Sequence, residues 1–342
     1  MVTGDVVVPN QTRPRSRAVA ARHAVESFLA PLLAGLVLLV TLIGLIASAL
    51  HDPRPHDVPV GLVGPAAVTE QLTSRFDQAA PGAFKFTTYD SEDAARRALD
   101  SRDVDGVLVV GAGGARLIVA GAAGDAVTGV ITGALGNVFR AQGQQLAVET
   151  VHPFAAGDAH GLILFFLVVA VIVSTVVAQA VILARAATMG VWLRLAVLVV
   201  YAALAGLVGT ATTAVIVGGW GDRFWDVAGL TALVALAVGA PIAAGARLLG
   251  APGFALMALV MVLFDLVSSG GPVGTALLPD FYRAVGPWMP ASLGYSALRG
   301  DLYFSSAGVA VPVTLLAAWS AAGILLVLLI AGVTRARRSA VA

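Results

Sequence analysis

Residues 161–184 read GLILFFLVVAVIVSTVVAQAVILA, without a charge and with only Ser174, Thr175 and Gln179 as polar interruptions. A helix crosses the hydrocarbon core of a bilayer with about 20 mostly apolar residues, so this stretch is long enough to span. Comparable runs lie at 28–50, 195–221, 227–246, 248–264 (extending past Asp265) and 302–334. The fourth and fifth runs in chain order are separated only by Arg247 and a Gly-Ala-Pro-Gly turn. The pattern predicts an α-helical integral membrane protein with six transmembrane helices.

Composition agrees. Of 342 residues, 58% are hydrophobic and 12% charged, and the mean hydropathy is +0.89; a soluble domain carries about 25% charge. There is no cysteine, which excludes disulfides, thiolate metal ligands and a thiol nucleophile. Lys85 is the only lysine, so no Gly-Lys-Ser/Thr triplet exists to hold nucleotide phosphates. The chain cannot be a P-loop ATPase.

Arginine placement predicts orientation. With the N-terminus inside, the inner segments hold Arg13, Arg15, Arg17, Arg22, Arg185, Arg194, Arg247, Arg335, Arg337 and Arg338 against only Asp5 and Glu26. The outer segments are then acidic on balance. Both termini are expected to be cytoplasmic, in the plasma membrane. Ala47-Ser48-Ala49 resembles a signal-peptidase site, but signal h-regions run about 7–15 residues; the first run is longer and reads as a retained anchor.

The polar insert, residues 51–160, reads as an extracytoplasmic α/β domain. Strands are expected at 58–64, 84–89, 105–110 and 115–121. Helices are expected at 66–80, from a Ser91 cap to Ser101, and along the Val127, Ile131, Leu135, Phe139 periodicity. The last of these helices is expected to lead through His152 and Pro153 into the second span. The chain then divides into a cytoplasmic N-terminus with a basic helix (1–27, disordered to about Arg15), a first span (28–50), the insert (51–160), a five-helix bundle (161–334) and a tail (335–342).

One span, an α/β insert and five closely spaced spans resemble the layout of ABC-2-type exporter permeases. VPVGLVG (58–64) and SEDAARRALDSRDVDGVLVV (91–110) resemble segments of their inserts. SSGGPVGTALLPDFYRAVGPWMPASLGYSALRGDLYF (268–304) is similar to the end of the YhgE/Pip branch of that superfamily. There a Ser-Gly-Gly and a Leu-Pro lead to a Phe/Tyr pair, a Pro-rich turn and a Leu-Arg before the last span. This insert is much shorter than the extracellular regions of YhgE/Pip proteins, so functions tied to those regions do not carry over. The resemblance implies a re-entrant segment at about 268–300. Non-helical backbone survives at membrane depth only when buried in protein or lining water; Gly270, Gly271 and Pro272 would break the helix, Pro279, Pro287 and Pro290 would separate its pieces, and Trp288 and Tyr295 suit the headgroup region. The bland alternative is an amphipathic loop on the outer surface.

Candidate transport residues are Asp265, Ser268, Ser269, Gly270, Gly271, Pro272, Pro287, Trp288 and Arg299. Asp265 is the single acid within a span. It reads either as a cavity-facing group for protons or cationic substrate or, preferred here, as a helix-end acid reaching outer water and paired with Arg283 or Arg299. His51, His56, His152 and His160 gather beside the outer surface, but their spacing fits no zinc pattern. Gly206 and Gly209 near Ala202 read as helix packing. The basic N-terminal helix could bind anionic lipid or a partner ATPase, and Arg15, Arg17, Arg22, Arg185 and Arg194 form the candidate ATPase interface. No nucleophile–base pair, HExxH or paired carboxylate stands out, so neither enzyme activity nor a cofactor is expected. The expected function is an exporter permease subunit for an amphipathic or lipid-like substrate. It would act as a homodimer, in contact with membrane lipid, driven by a separate ATP-binding subunit, with no nucleic acid partner. An α/β domain that binds a partner with the spans as anchor, or an ion-driven exporter centred on Asp265, are the alternatives.

Overall fold

In the hydrocarbon core, water is absent and a lone segment can satisfy its backbone only by coiling. A computed structural model of the chain describes residues 14–111 and 114–341, without the side chains of 14–28, 30, 31, 34, 338, 340 and 341. Its elements in chain order are α1 (Pro14–Leu50), β1 (Val58–Val63), α2 (Ala66–Ala79), β2 (Phe84–Thr88), α3 (Glu92–Asp100), β3 (Gly106–Gly111), β4 (Gly114–Ala120), α4 (Asp125–Ala141) and β5 (Leu146–Val151). There follow α5 (Leu162–Ala184), α6 (Val191–Val217), α7 (Phe224–Leu249), α8 (Ala251–Leu259), a π-helical turn (Val260–Phe264), α9 (Asp265–Ser268), α10 (Asp280–Val285), α11 (Pro290–Tyr303) and α12 (Ala310–Val341).

Five stretches among the described residues are long and apolar enough to cross a membrane: Leu162–Ala184, Val191–Val217, Gly221–Leu249, Ala251–Ser268 and Ala310–Arg337. The protein is a mostly helical, multi-pass membrane protein with one small sheet among the described residues. Around the expected first span, α1 is continuous over 37 residues, about 55 Å at 1.5 Å per residue; its apolar part among the described residues is Gly35–Leu50. Residues through Ser48 form one compact unit and Ala49–Ala342 another. At the other end of the chain the last span starts at Ala310, not at 302. Leu302 and Tyr303 close α11, and Ser305, Ser306 and Gly308 then take positive φ. The Ser306 hydroxyl donates to Asp301 Oδ1 (2.9 Å), which holds that turn.

Within the second unit, α7 is central. Of its most apolar window 67% is buried, against 22% for α6 and for α12. Its small side chains explain this, since close backbone approach and dispersion drive helix packing in lipid. A Cβ on Gly206 of α6 would stand 2.3 Å from the Ala228 carbonyl oxygen, and one on Gly323 of α12 would stand 2.5 Å from the Ala240 carbonyl carbon. At Gly209 the nearest atom is the movable end of the Leu167 side chain, at 2.8 Å. Gly206→Val should therefore lower the thermal unfolding midpoint in detergent, with an overpacking cost of about 1–3 kcal/mol. Gly209→Ala should cost less, and equal losses would contradict this packing.

The sheet has the order β2-β1-β3-β4-β5. β1 is parallel to β2 and β3, β3 and β4 are antiparallel, and β4 and β5 are parallel. Leu72 and Phe76 of α2 and Ile131, Leu135 and Phe139 of α4 cover one face with Val60, Leu108 and Leu117. Ala95 and Leu99 of α3 cover the other with Val107 and Ile118, and Phe304 from the end of α11 enters that same core. The Ser91 hydroxyl accepts from Ala94 N (3.2 Å), capping α3 as expected. β5 is a correction, since no strand was expected after α4. Ala147, Val148 and Thr150 are exposed while Leu146, Glu149 and Val151 are half-buried, so this edge strand lacks a core-facing apolar alternation. Its Glu149 instead pairs with Arg96 (2.9 Å) on α3.

Candidate functional site

The chain around Asp265 is built from helix-breaking chemistry. The π-helical turn before it is a local overwide turn of a kind common at functional sites. Gly270, Gly271 and Gly274 all have positive φ, where a side chain is strained. They reverse the chain into the short pieces ending in α10 and a 3-10 turn at Gly286–Trp288. Pro290 then begins α11, with φ preset for a first helical turn.

Contacts give the depth of this hairpin. Midway along it, His56 N donates to the Ala276 carbonyl (2.9 Å) and Arg283 pairs with Asp57 (2.8 Å), level with the α/β layer. At its tip, Trp319 Nε1 donates to the Trp288 carbonyl (2.8 Å). Trp319 lies nine residues into α12, about 14 Å along its axis. Gly286 packs on the Ser268 carbonyl, where a Cβ would stand 2.2 Å away. α11 then climbs 14 residues, about 21 Å, back to the α/β layer.

Asp265 is fully buried. Both its oxygens accept from Ala291 N, at 2.8 and 3.1 Å, so it caps α11 from a separate helix. This corrects the preferred expectation of a water-reaching acid paired with Arg283 or Arg299. Arg283 pairs with Asp57 and Asp280, the Arg299 guanidinium lies 5.2 Å from the Tyr295 ring centroid, and no basic side chain pairs with Asp265 among the described residues. The reason is geometric: the hairpin brings an unsatisfied helix N-terminal N–H, not water, to the carboxylate. Asp265→Asn keeps an acceptor there and should unfold near the wild-type midpoint. Asp265→Ala orphans the buried Ala291 N–H and should cost about 1–3 kcal/mol. Equal midpoints for the two variants, measured by thermal unfolding in detergent, would contradict the capping role.

Between the hairpin and the α/β layer lies a cavity of about 410 Å³. Ser269, Gly271 and Pro287 line it from the hairpin, Ser292, Tyr295, Ser296 and Arg299 from α11, Arg102 and Asp105 from the α/β layer, and Val311 and Pro312 from α12. Of the expected site residues, Ser269, Gly271, Pro287 and Arg299 therefore meet here. Asp265 and Ser268 lie sealed in the helices, and the Ser268 hydroxyl donates to the Asp265 carbonyl (3.1 Å). Gly270 shapes the turn, Pro272 is half-buried, and Trp288 faces outward at 59% exposure. Tyr295, expected near the headgroups, is instead in the core with its hydroxyl 3.4 Å from the Gly161 carbonyl.

Arg102 and Asp105 were not among the expected site residues. Arg102 has φ +67, a costly conformation held by its side chain, which donates to the Ser296 carbonyl (3.1 Å), the Ser296 hydroxyl (3.1 Å) and the Ala307 carbonyl (3.3 Å). It also stacks on Phe304, 5.4 Å to the ring centroid. Burial, then the nearby Arg299 charge, push its pKa down to about 10, against the pull of Asp105; it stays cationic at neutral pH. Burial pushes the Asp105 carboxyl up, and Arg299 and Arg102 pull it back.

No family model, curated protein or solved structure matches this chain.

The remaining candidates are placed separately. Arg185 is exposed. Arg194, expected in the loop, lies in the first turn of α6, and its guanidinium donates to the carbonyls of Met189 (3.0 Å) and Ala186. It pins the α5–α6 turn. The side chains of Arg15, Arg17 and Arg22 lie outside the described residues. His152 pairs with Asp100 (2.7 Å) and His160 with Asp125; no cluster of three metal-ligating side chains occurs among the described residues.

Proposed function

We propose that this chain is the membrane subunit of an exporter resembling the ABC-2-type permeases, moving an amphipathic or lipid-like molecule outward under the action of a separate ATP-hydrolysing subunit. The observation that carries the reading is the broken hairpin. It returns to the level of Trp319 and, with the α/β layer, encloses a charged cavity beside the apolar helices. A bare anchor needs one span and no such cavity. An ion-driven exporter would need its in-span carboxylate to reach water or a conducting path, and the fully buried, helix-capping Asp265 is poorly placed for that. The arginine asymmetry favours cytoplasmic termini, an outward α/β layer and a plasma-membrane location, and a homodimer is the expected assembly.

Force from an ATPase would enter through the basic inner face, with arginines meeting partner carboxylates. Exposed pairs contribute only about 0–1 kcal/mol each, so several must be removed together. The tagged chain, purified from its own host, should bring down an ATP-hydrolysing protein. Exchanging Arg15, Arg17, Arg22 and Arg185 for Gln should lose that protein while leaving insertion intact. Recovery of the correctly inserted wild-type chain without any associated ATPase activity would sink the reading.

A further inference from the structure

We propose that the cavity beneath the α/β layer binds the phosphate of an anionic ligand, with Arg299 as its principal counter-charge. Two guanidinium groups face this space against one carboxylate, Asp105. Arg299 makes no ion pair among the described residues, and its Nε is buried without a hydrogen-bond partner. Arg299 is half-buried against the Tyr295 ring, but a buried donor left without an acceptor is costly, and phosphate oxygens match the planar guanidinium fork. Arg102 spends its hydrogen bonds on neutral acceptors, two carbonyls and a hydroxyl, so its charge is not cancelled there either. Ser292 adds a hydroxyl to the same wall, and Val127, Leu293, Val311 and Pro312 supply apolar surface beside it. A volume of about 410 Å³ suits a headgroup-sized anion with an adjoining apolar portion, since small-molecule pockets run about 300–1,000 Å³. The inference rests on the export reading for its place in transport, but the binding itself requires no ATPase.

The full chain, purified in uncharged detergent, is titrated calorimetrically with dihexanoyl phosphatidylglycerol, with dihexanoyl glycerol lacking the phosphate, and with inorganic phosphate. The expected result is binding of the phosphate-bearing lipid in preference to the phosphate-free one. Arg299→Gln should weaken it roughly tenfold or more, the loss of a charged hydrogen bond. Asp105→Asn, which removes the repelling carboxylate, should tighten it, and Arg116→Gln, whose guanidinium pairs with Glu92 at the opposite end of α3, should leave it unchanged. Inorganic phosphate that binds, competes with the lipid and shows the same Arg299 dependence would identify a free anion as the ligand, through the same chemistry. Equal binding of the phosphate-free lipid, no binding of any probe, or identical affinities for wild type and Arg299→Gln would overturn the proposal. Should Arg299→Gln fail to fold, Asp105→Asn decides alone: tightening sustains the proposal, and unchanged or weaker binding overturns it. These titrations stand or fall apart from the export reading, which fails on the absence of a co-purifying ATPase.

Discussion

Gly286→Val should open the hairpin and give the largest loss of stability of any single substitution in it. Gly286 has an ordinary helical φ of −49°, so the backbone itself tolerates a side chain. The conflict is steric: its Cβ would sit 2.2 Å from the Ser268 carbonyl oxygen, an atom of the main chain with no rotamer to escape through. Overpacking a filled site costs about 1–3 kcal/mol and sometimes more, and an unyielding partner puts this one at the upper end. Moving Gly286 away also separates Ala291 from Asp265, so a buried N–H and a buried carboxylate lose each other. The comparison is Gly133→Ala on α4, where no atom lies within 4 Å of the added Cβ. That change should stabilise by about 0.5–1 kcal/mol, as glycine-to-alanine in a helix interior does. Thermal unfolding of both variants in detergent reads the contrast, and a Gly286→Val protein as stable as wild type would refute the tight hairpin.

Arg102→Ala is expected to free the α/β layer from α11. Three hydrogen bonds and the stack on Phe304 are lost together, and a hydrogen bond to a charged group contributes about 1.5–3 kcal/mol. Arg102→Lys should rescue little, because a single ammonium cannot reproduce the fork that reaches Ser296 and Ala307 at once. Hydrogen exchange should quicken in α11 and in the 304–309 turn for both variants, while the α6–α7 contact around Gly206 stays protected. Unchanged exchange in α11 would show that Arg102 is not the clasp.

The membrane helices were legible because a charge-free run of about 20 apolar residues has few other uses, as at Leu162–Ala184. The first four strands were legible from their apolar runs and the Ser91 cap. β5 was not, because it is an edge strand whose inward side chain is the ion-paired Glu149. The breaks at Gly270, Gly271 and Pro290 could be read from residue types that interrupt helices. What they produce could not: Asp265 is satisfied by the backbone N–H of Ala291, and a main-chain group leaves no mark in the sequence. The cavity was half legible. Arg299 stood out as the arginine of the Leu-Arg before the last span, but Arg102 and Asp105 come from nearly two hundred residues earlier, and only tertiary packing brings them to the same wall.

In the proposed orientation the hairpin cavity and the α/β layer face outward while the α5–α6 turn faces the cytoplasm. The absence of native cysteine makes this directly measurable with single replacements Gln78→Cys, Ser292→Cys and Thr188→Cys, exposed to a membrane-impermeant maleimide. In intact cells the first two should be modified and the third protected, with Thr188→Cys becoming reactive only after the membrane is opened. Labelling of Thr188→Cys in intact cells with protection of Gln78→Cys would show the opposite orientation.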